Sequence, residues 1–253
     1  MWYYENDKTP TVVTAKKHIE SCHGGSLELP KTAILFYMHG GEEYAAANYD
    51  TVKISEKFPR FLNSCPVYKF RDYDVCFLDG GRGAPQAADT VETLAALGVK
   101  NVVTVGMFGA FGSNINLGDI LIPSKALSEE GTSLHYYANN DIFSPDKELF
   151  QATTECFKEA NTSLIVSTDA VYRQTLFKEN LWRSAGAVGV DMETSAVFSV
   201  SRYCKIRTVS ILIASDKHPE NESSEDWKWS MSREMRCGFF EKSIGFVLGL
   251  ETV

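Results

Sequence analysis

The sequence has no CxxC pair and no apolar run near the roughly 18 residues needed to span a bilayer. Its start, MWYYENDKTP, lacks a basic stretch followed by an apolar one. Six scattered cysteines on such a chain read as reduced cytosolic thiols, so a cytoplasmic protein is expected. The five histidines, at 18, 23, 39, 135 and 218, show no metal-ligand spacing, so no metal site is expected. Positive charge is also scarce: 25 Lys and Arg face 33 Asp and Glu, a net charge of −8 that repels a nucleic-acid backbone. No repeat, low-complexity segment or Pro/Gly/Ser linker divides the 253 residues, so one domain over 1–253 is expected, with about the first 30 peripheral.

The chain does contain enough for a large core, being 44% hydrophobic. Short β-rich runs alternate with amphipathic stretches, the pattern of a sheet covered by crossover helices. Strands are predicted at 33–38, 73–78, 101–107, 118–123, 163–167, 187–190 and 207–214. YDVCFL, NVVTV and TVSILIA are apolar throughout and belong at the centre of the sheet. Helices are predicted at 85–97, ending at Gly98, and after Ser144 as N-cap with Pro145 in the first turn. Two more are expected over 192–203 and from about 224 to 248.

Glycine clusters follow three of the strands: HGGEE at 39–43, DGGRGAP at 79–85 and VGMFGAFG at 105–112. Each permits close approach of backbone to a ligand, although none forms a GxGxxG or P-loop motif. Carboxylates follow two further apolar runs, in GAVGVDMETSAVF and ILIASDKH, at the strand ends where open α/β sheets place their sites.

The ordered series GGRGAP, TVGMFGAF, LGDILIPSKALSEEGTSLHYY, STDAVY, VGVDMETSAVFSV and ILIASDKH resembles the nucleoside phosphorylase superfamily over roughly residues 33–248. That superfamily includes purine nucleoside phosphorylases, uridine phosphorylases and methylthioadenosine nucleosidases. The resemblance implies a three-layer α/β/α sandwich with a central mixed sheet and a homo-oligomer, whether dimer, trimer or hexamer. It also implies a small-molecule nucleoside as partner and no organic cofactor, while the net negative charge and the lack of a spanning apolar run speak against nucleic acid and membrane.

By the same resemblance, Glu193 accepts hydrogen bonds from the ribose hydroxyls while Met192 packs beneath the sugar, with Asp191 opening the motif. Asp216 is the general acid at purine N7, and Ser215 is its neighbour at the base. An aspartate in that role needs its pKa raised by a closed, poorly hydrated site. Val171 and Tyr172 wall the base, and Gly106, Met107 and Phe108 line the central motif. His135 stands as a further candidate for the sugar 5′ end.

The anion site departs from the phosphorylase pattern. Gly41, Glu42 and Glu43 occupy a loop where phosphorylases carry an arginine, and Thr104 and Met107 replace an arginine and a Ser or Thr. Arg82 is the residue that could restore a positive charge. The leading expectation is phosphorolysis of a purine nucleoside, with inorganic phosphate as co-substrate. The alternatives are hydrolysis by water activated at Glu42 or Glu43, and a non-catalytic nucleoside-binding or storage protein.

Overall fold

A computed structural model describes residues 4, 6–22, 27–138, 141–221 and 227–250. In chain order the elements are α1 (Ala15–Cys22), β1 (Thr32–Phe36), α2 (Gly41–Asn48), β2 (Thr51–Ser55), β3 (Val67–Phe70) and β4 (Val75–Asp79). There follow α3 (Ala84–Ala96), β5 (Asn101–Ala110), β6 (Ile120–Leu121), β7 (Lys125–Glu129), β8 (Ile142–Phe143), α4 (Lys147–Cys156) and β9 (Leu164–Thr168). The chain closes with α5 (Leu176–Ser184), β10 (Ala187–Asp191), α6 (Thr194–Cys204), β11 (Arg207–Lys217), β12 (Lys228–Trp229) and α7 (Arg233–Leu250). Short 3-10 turns lie at Ser133–His135 and Val171–Arg173.

The strands form one mixed sheet, and its main path runs β2-β3-β4-β1-β5-β10-β9-β7-β8. Side-chain alternation along β1 shows why the sheet needs cover on both faces. Ala33 and Leu35 pack with Ala88, Val91, Leu94 and Val197 from α3 and α6. Ile34 and Phe36 pack on the other face with Leu149 of α4 and with Phe240, Ile244 and Val247 of α7. The result is the expected α/β/α sandwich with a central mixed sheet.

Strand β5 creates the opening on which the site depends. Along one edge it pairs in parallel with β11 from Asn101 to Ala110. Along the other, β1 pairs with it only as far as Val105, and β10 takes over, antiparallel, at Gly109 and Ala110. Residues 106–108 lie between these two partners, so β1 and β10 diverge there and leave a gap at their carboxyl ends.

Several predicted elements shift. The C-terminal helix begins at Arg233 rather than near 224, because Lys228 and Trp229 pair with Lys217 and Asp216 as β12; residues 224–226 lie outside the described segments. Strand pairing over 118–123 reduces to Ile120 and Leu121, preceded by Gly118 at a φ of 83°. The 73–78 strand starts only at Val75. The N-cap of α4 is Asp146, whose side chain accepts from the Leu149 N–H, instead of Ser144. The segment read as a loop after the first strand is helix α2, in which Gly41 allows the backbone to press on Phe36; a Cβ there would stand 2.3 Å from that ring.

Candidate active site

A cavity of about 500 Å³ fills the gap beside residues 106–108. Its walls come from the ends of β1, β4, β10 and β11 and from the edge of β5, the position at which open α/β sheets bind ligands. Asp216, Glu193, Met192, Asp191, Ser215, Met107, Phe108, Val171, Tyr172 and Arg82 all line it. At the end of β11 a register shift between Ala214 and Asp216 brings the adjacent Ser215 and Asp216 both to the cavity, and His218 follows two residues after Asp216.

The acids differ in what they face. Both Asp191 oxygens have partners within the protein: Oδ1 accepts from Ser167 Oγ at 2.5 Å, and Oδ2 accepts from the Thr194 backbone N–H and hydroxyl. It lines the cavity and at the same time anchors the first turn of α6, with protein donors on both of its oxygens. Glu193 is buried, and one carboxylate oxygen accepts from the Gly83 N–H at 2.6 Å. Burial, and then the neighbouring charge of Asp191, push Glu193 well above the usual carboxylate range. The glycine loop DGGRGAP therefore meets the DMET segment at a hydrogen bond between residues far apart in sequence.

Asp216 behaves differently from the expectation. Burial pushes its pKa up, but hydrogen bonds from His218, Ser215 and Trp227 outweigh burial and hold it below its ordinary value. The donors are Ser215 Oγ at 2.5 Å, His218 Nε2 at 3.1 Å and Trp227 Nε1 at 2.5 Å. The reason for the correction is that donors bonding to the ionised form stabilise it more than desolvation destabilises it. His218 moves the other way: burial alone would lower it, but bonds to Asp216 and Glu179 and their charges raise it to about 9.

At the opposite end, Arg82 Nη1 pairs with Asp79 Oδ1 at 2.9 Å and donates to the Gly81 carbonyl, while its Nη2 lies 3.4 Å from His39 Nδ1. Glu42 does not line the cavity but stands close enough to feel both charges. Burial first, then Asp79 and Glu43, raise it to about 7, against a lowering by Arg82. Glu43 is exposed.

The remaining predicted residues lie elsewhere. Thr104 is buried within the sheet, its hydroxyl bonded to Ser210 Oγ at 2.7 Å, and has no access to the cavity. It sits on the portion of β5 paired on both edges, which is why it cannot reach an anion. Gly106 packs under Tyr37, and Gly41 is buried against Phe36. Tyr172 does line the cavity, but at its rim, where it is 95% exposed because its 3-10 turn buries none of its residues. His135 lines a separate groove of about 730 Å³ with His18, Asp89 and Tyr136, so it is not beside Asp216 and Glu193.

Cavity residues that the sequence did not single out include Tyr37, Glu179, His218 and Trp227. His218 had a visible signal, since it follows two residues after Asp216. Glu179 and Trp227 had none, for they arrive from α5 and from the segment before β12. Among the described residues no group of three His, Cys, Asp or Glu could hold a metal ion. No helix among them is long and apolar enough to cross a membrane.

The sequence profile of the phosphorylase superfamily matches residues 32–238. The chain belongs to that superfamily. It is 31% identical over 148 residues to guanosine phosphorylase of Halorubrum lacusprofundi, covering 57% of this chain and 61% of the relative. It is 28% identical over 163 residues to purine nucleoside phosphorylase DeoD-type 1 of Shewanella oneidensis, covering 61% of this chain and 68% of that protein. Its fold resembles that of an AMP nucleosidase from Bacteroides thetaiotaomicron, with a TM-score of 0.73 and 20% identity over 95% of this chain and 100% of the other. It also resembles purine nucleoside phosphorylase from Toxoplasma gondii in complex with immucillin-H, with a TM-score of 0.72 and 18% identity, covering 88% and 90% of the two chains.

Proposed function

We propose that the protein cleaves the N-glycosidic bond of a purine nucleoside with phosphate, releasing the base and ribose 1-phosphate. The observation that carries this reading is the convergence of Glu193, Met192 and Asp216 on one cavity of about 500 Å³. In it, Glu193 and Met192 hold the sugar while Asp216 and Ser215 meet the base. As the C–N bond breaks, the ring oxygen shares the developing positive charge at the anomeric carbon, and the base takes the bonding electrons. A proton delivered at N7 neutralises that negative charge. Phosphate enters beside Arg82, whose loop is joined to Glu193 through Gly83. The two phosphorylases related in sequence support this nucleophile.

A second reading, hydrolysis, draws on the same loop. The Arg82 charge is matched by Asp79, and Glu42, raised to about 7, has the basicity to take a proton from water near neutral pH. Product analysis separates the two. Base release from inosine, guanosine and adenosine is followed at zero and millimolar phosphate, with the sugar product identified. Phosphate-dependent ribose 1-phosphate is expected, whereas free ribose at a phosphate-independent rate establishes hydrolysis. Binding without turnover would make the protein a nucleoside-binding one.

A further inference from the structure

At one end of the cavity Asp216, His218 and Glu179 form a row that spans two elements and continues to Arg183 behind it. Arg183 Nη2 lies 3.2 Å from Glu179 Oε2, both on α5. Glu179 Oε1 lies 2.7 Å from His218 Nδ1, and His218 Nε2 lies 3.1 Å from Asp216 Oδ2, at the end of β11. Trp227 adds a neutral donor to that same Asp216 oxygen. Ionised carboxylates only accept hydrogen bonds, so an imidazole between two of them must carry a proton on both nitrogens. The backbone makes room for the ring at Gly109, where a Cβ would stand 2.4 Å from Nε2.

Asp216 alone cannot be the stored acid in this arrangement. Its carboxylate accepts three hydrogen bonds, which favour the ionised form. We infer that His218 is the proton reservoir for the leaving base, passing its Nε2 proton through Asp216 to the departing purine. The inference rests on the proposed reading of the cavity as a purine nucleoside cleavage site. In the step, the C–N bond breaks and its electron pair goes to the base. His218 Nε2 gives its proton to the ionised Asp216, and the carboxyl so formed passes that proton to N7. The products of the step are a neutral base, an ionised Asp216 and a neutral imidazole, which regains its proton from water before the next turnover. His218 acts through Asp216 and is a positioning and proton-holding residue. The groups facing its ring are Asp216 from β11 and Glu179 from α5, with Arg183 behind Glu179.

The test compares His218→Gln with the wild type on two substrates: the purine nucleoside cleaved fastest among inosine, guanosine and adenosine, and its 7-methyl derivative. Gln can still donate to Asp216 but carries no transferable proton. The 7-methyl base bears a fixed positive charge and leaves without one. His218→Gln is expected to lose about 10²- to 10³-fold in kcat on the ordinary nucleoside and less than about 5-fold on the methylated one. The wild-type profile should fall on the alkaline side near pH 9, and that limb should vanish in His218→Gln, whereas a limb set by the substrate would survive. Glu179→Gln, which keeps the hydrogen bond and removes the charge, should move the limb down to about pH 8. An equal loss on both substrates, or unchanged kcat on both, overturns the inference. Absence of base release by the wild type from every nucleoside overturns the reading of the cavity itself, and the inference with it.

Discussion

Replacing Asp79 by Asn should strengthen phosphate binding, because Asp79 competes with phosphate for Arg82. Two unit charges about 4 Å apart interact by about 4 kcal/mol at an effective dielectric near 20. The pair lies 2.9 Å apart, but its side chains are 38% and 35% exposed, so solvent screens it. A contribution of about 1 kcal/mol is the realistic size for such a pair. That corresponds to about a 5-fold fall in the KM for phosphate in Asp79→Asn. Asn keeps an oxygen to accept from the Gly81 N–H, now 2.6 Å from Asp79 Oδ1, so the turn should persist. Arg82→Ala should act in the opposite direction and raise that KM by tenfold or more, of the order expected for loss of a charge-assisted bond. The assay is the initial rate of ribose 1-phosphate formation against phosphate concentration at saturating nucleoside. An unchanged or higher KM in Asp79→Asn refutes the competition, and free ribose formed without phosphate and lost in Glu42→Gln refutes phosphate as nucleophile.

Other substitutions probe the remaining parts. Glu193→Gln still accepts from Gly83 but cannot carry a charge toward the sugar hydroxyls, so kcat/KM on ribosides should fall about 10- to 100-fold, measured by base release at a pH above about 8, where Glu193 is ionised. Asp216→Asn should cut kcat about 10²- to 10⁴-fold with less change in binding, which a binding titration and single-turnover rates separate. Asp191→Ala leaves Ser167 and Thr194 donors without their acceptor and should cost about 2–4 kcal/mol of stability, read by denaturant unfolding. Glu42 has a folded-state pKa of about 7 against an ordinary 4.5, so the folded form binds more protons between those values and loses stability as pH rises through them. Glu42→Gln should flatten that part of the stability profile and gain up to about 3 kcal/mol relative to wild type at pH 8; equal slopes in the two proteins would show that Glu42 stays ionised.

Apolar runs such as NVVTV and TVSILIA were legible as central strands because burial on both faces leaves no polar alternation. The amphipathic pattern of Ala88, Val91 and Leu94 similarly marked α3, and the DMET and SD segments marked which strand ends meet the cavity. Helix α2 was not legible as one, since GG at its start reads as a turn until packing on Phe36 explains Gly41. Short β2, β3, β7, β8 and β12 carry too little periodicity to stand out from loops.

The sequence by itself determined the alternation of strands and helices, the acids at strand ends and the family resemblance, all of which are local in the chain. Tertiary structure alone decided which carboxylate faces what. Asp191 and Glu193 are two residues apart, yet one turns to Ser167 and Thr194 and the other to Gly83 at the cavity. Thr104 and Met107 lie on the same strand, but β1 covers β5 at the first and leaves it open at the second. The Glu179–His218–Asp216 row likewise joins α5 to β11 across 39 positions. A charge acts through space over a few ångströms, so its pKa and role depend on neighbours brought together by folding rather than on those beside it in the chain.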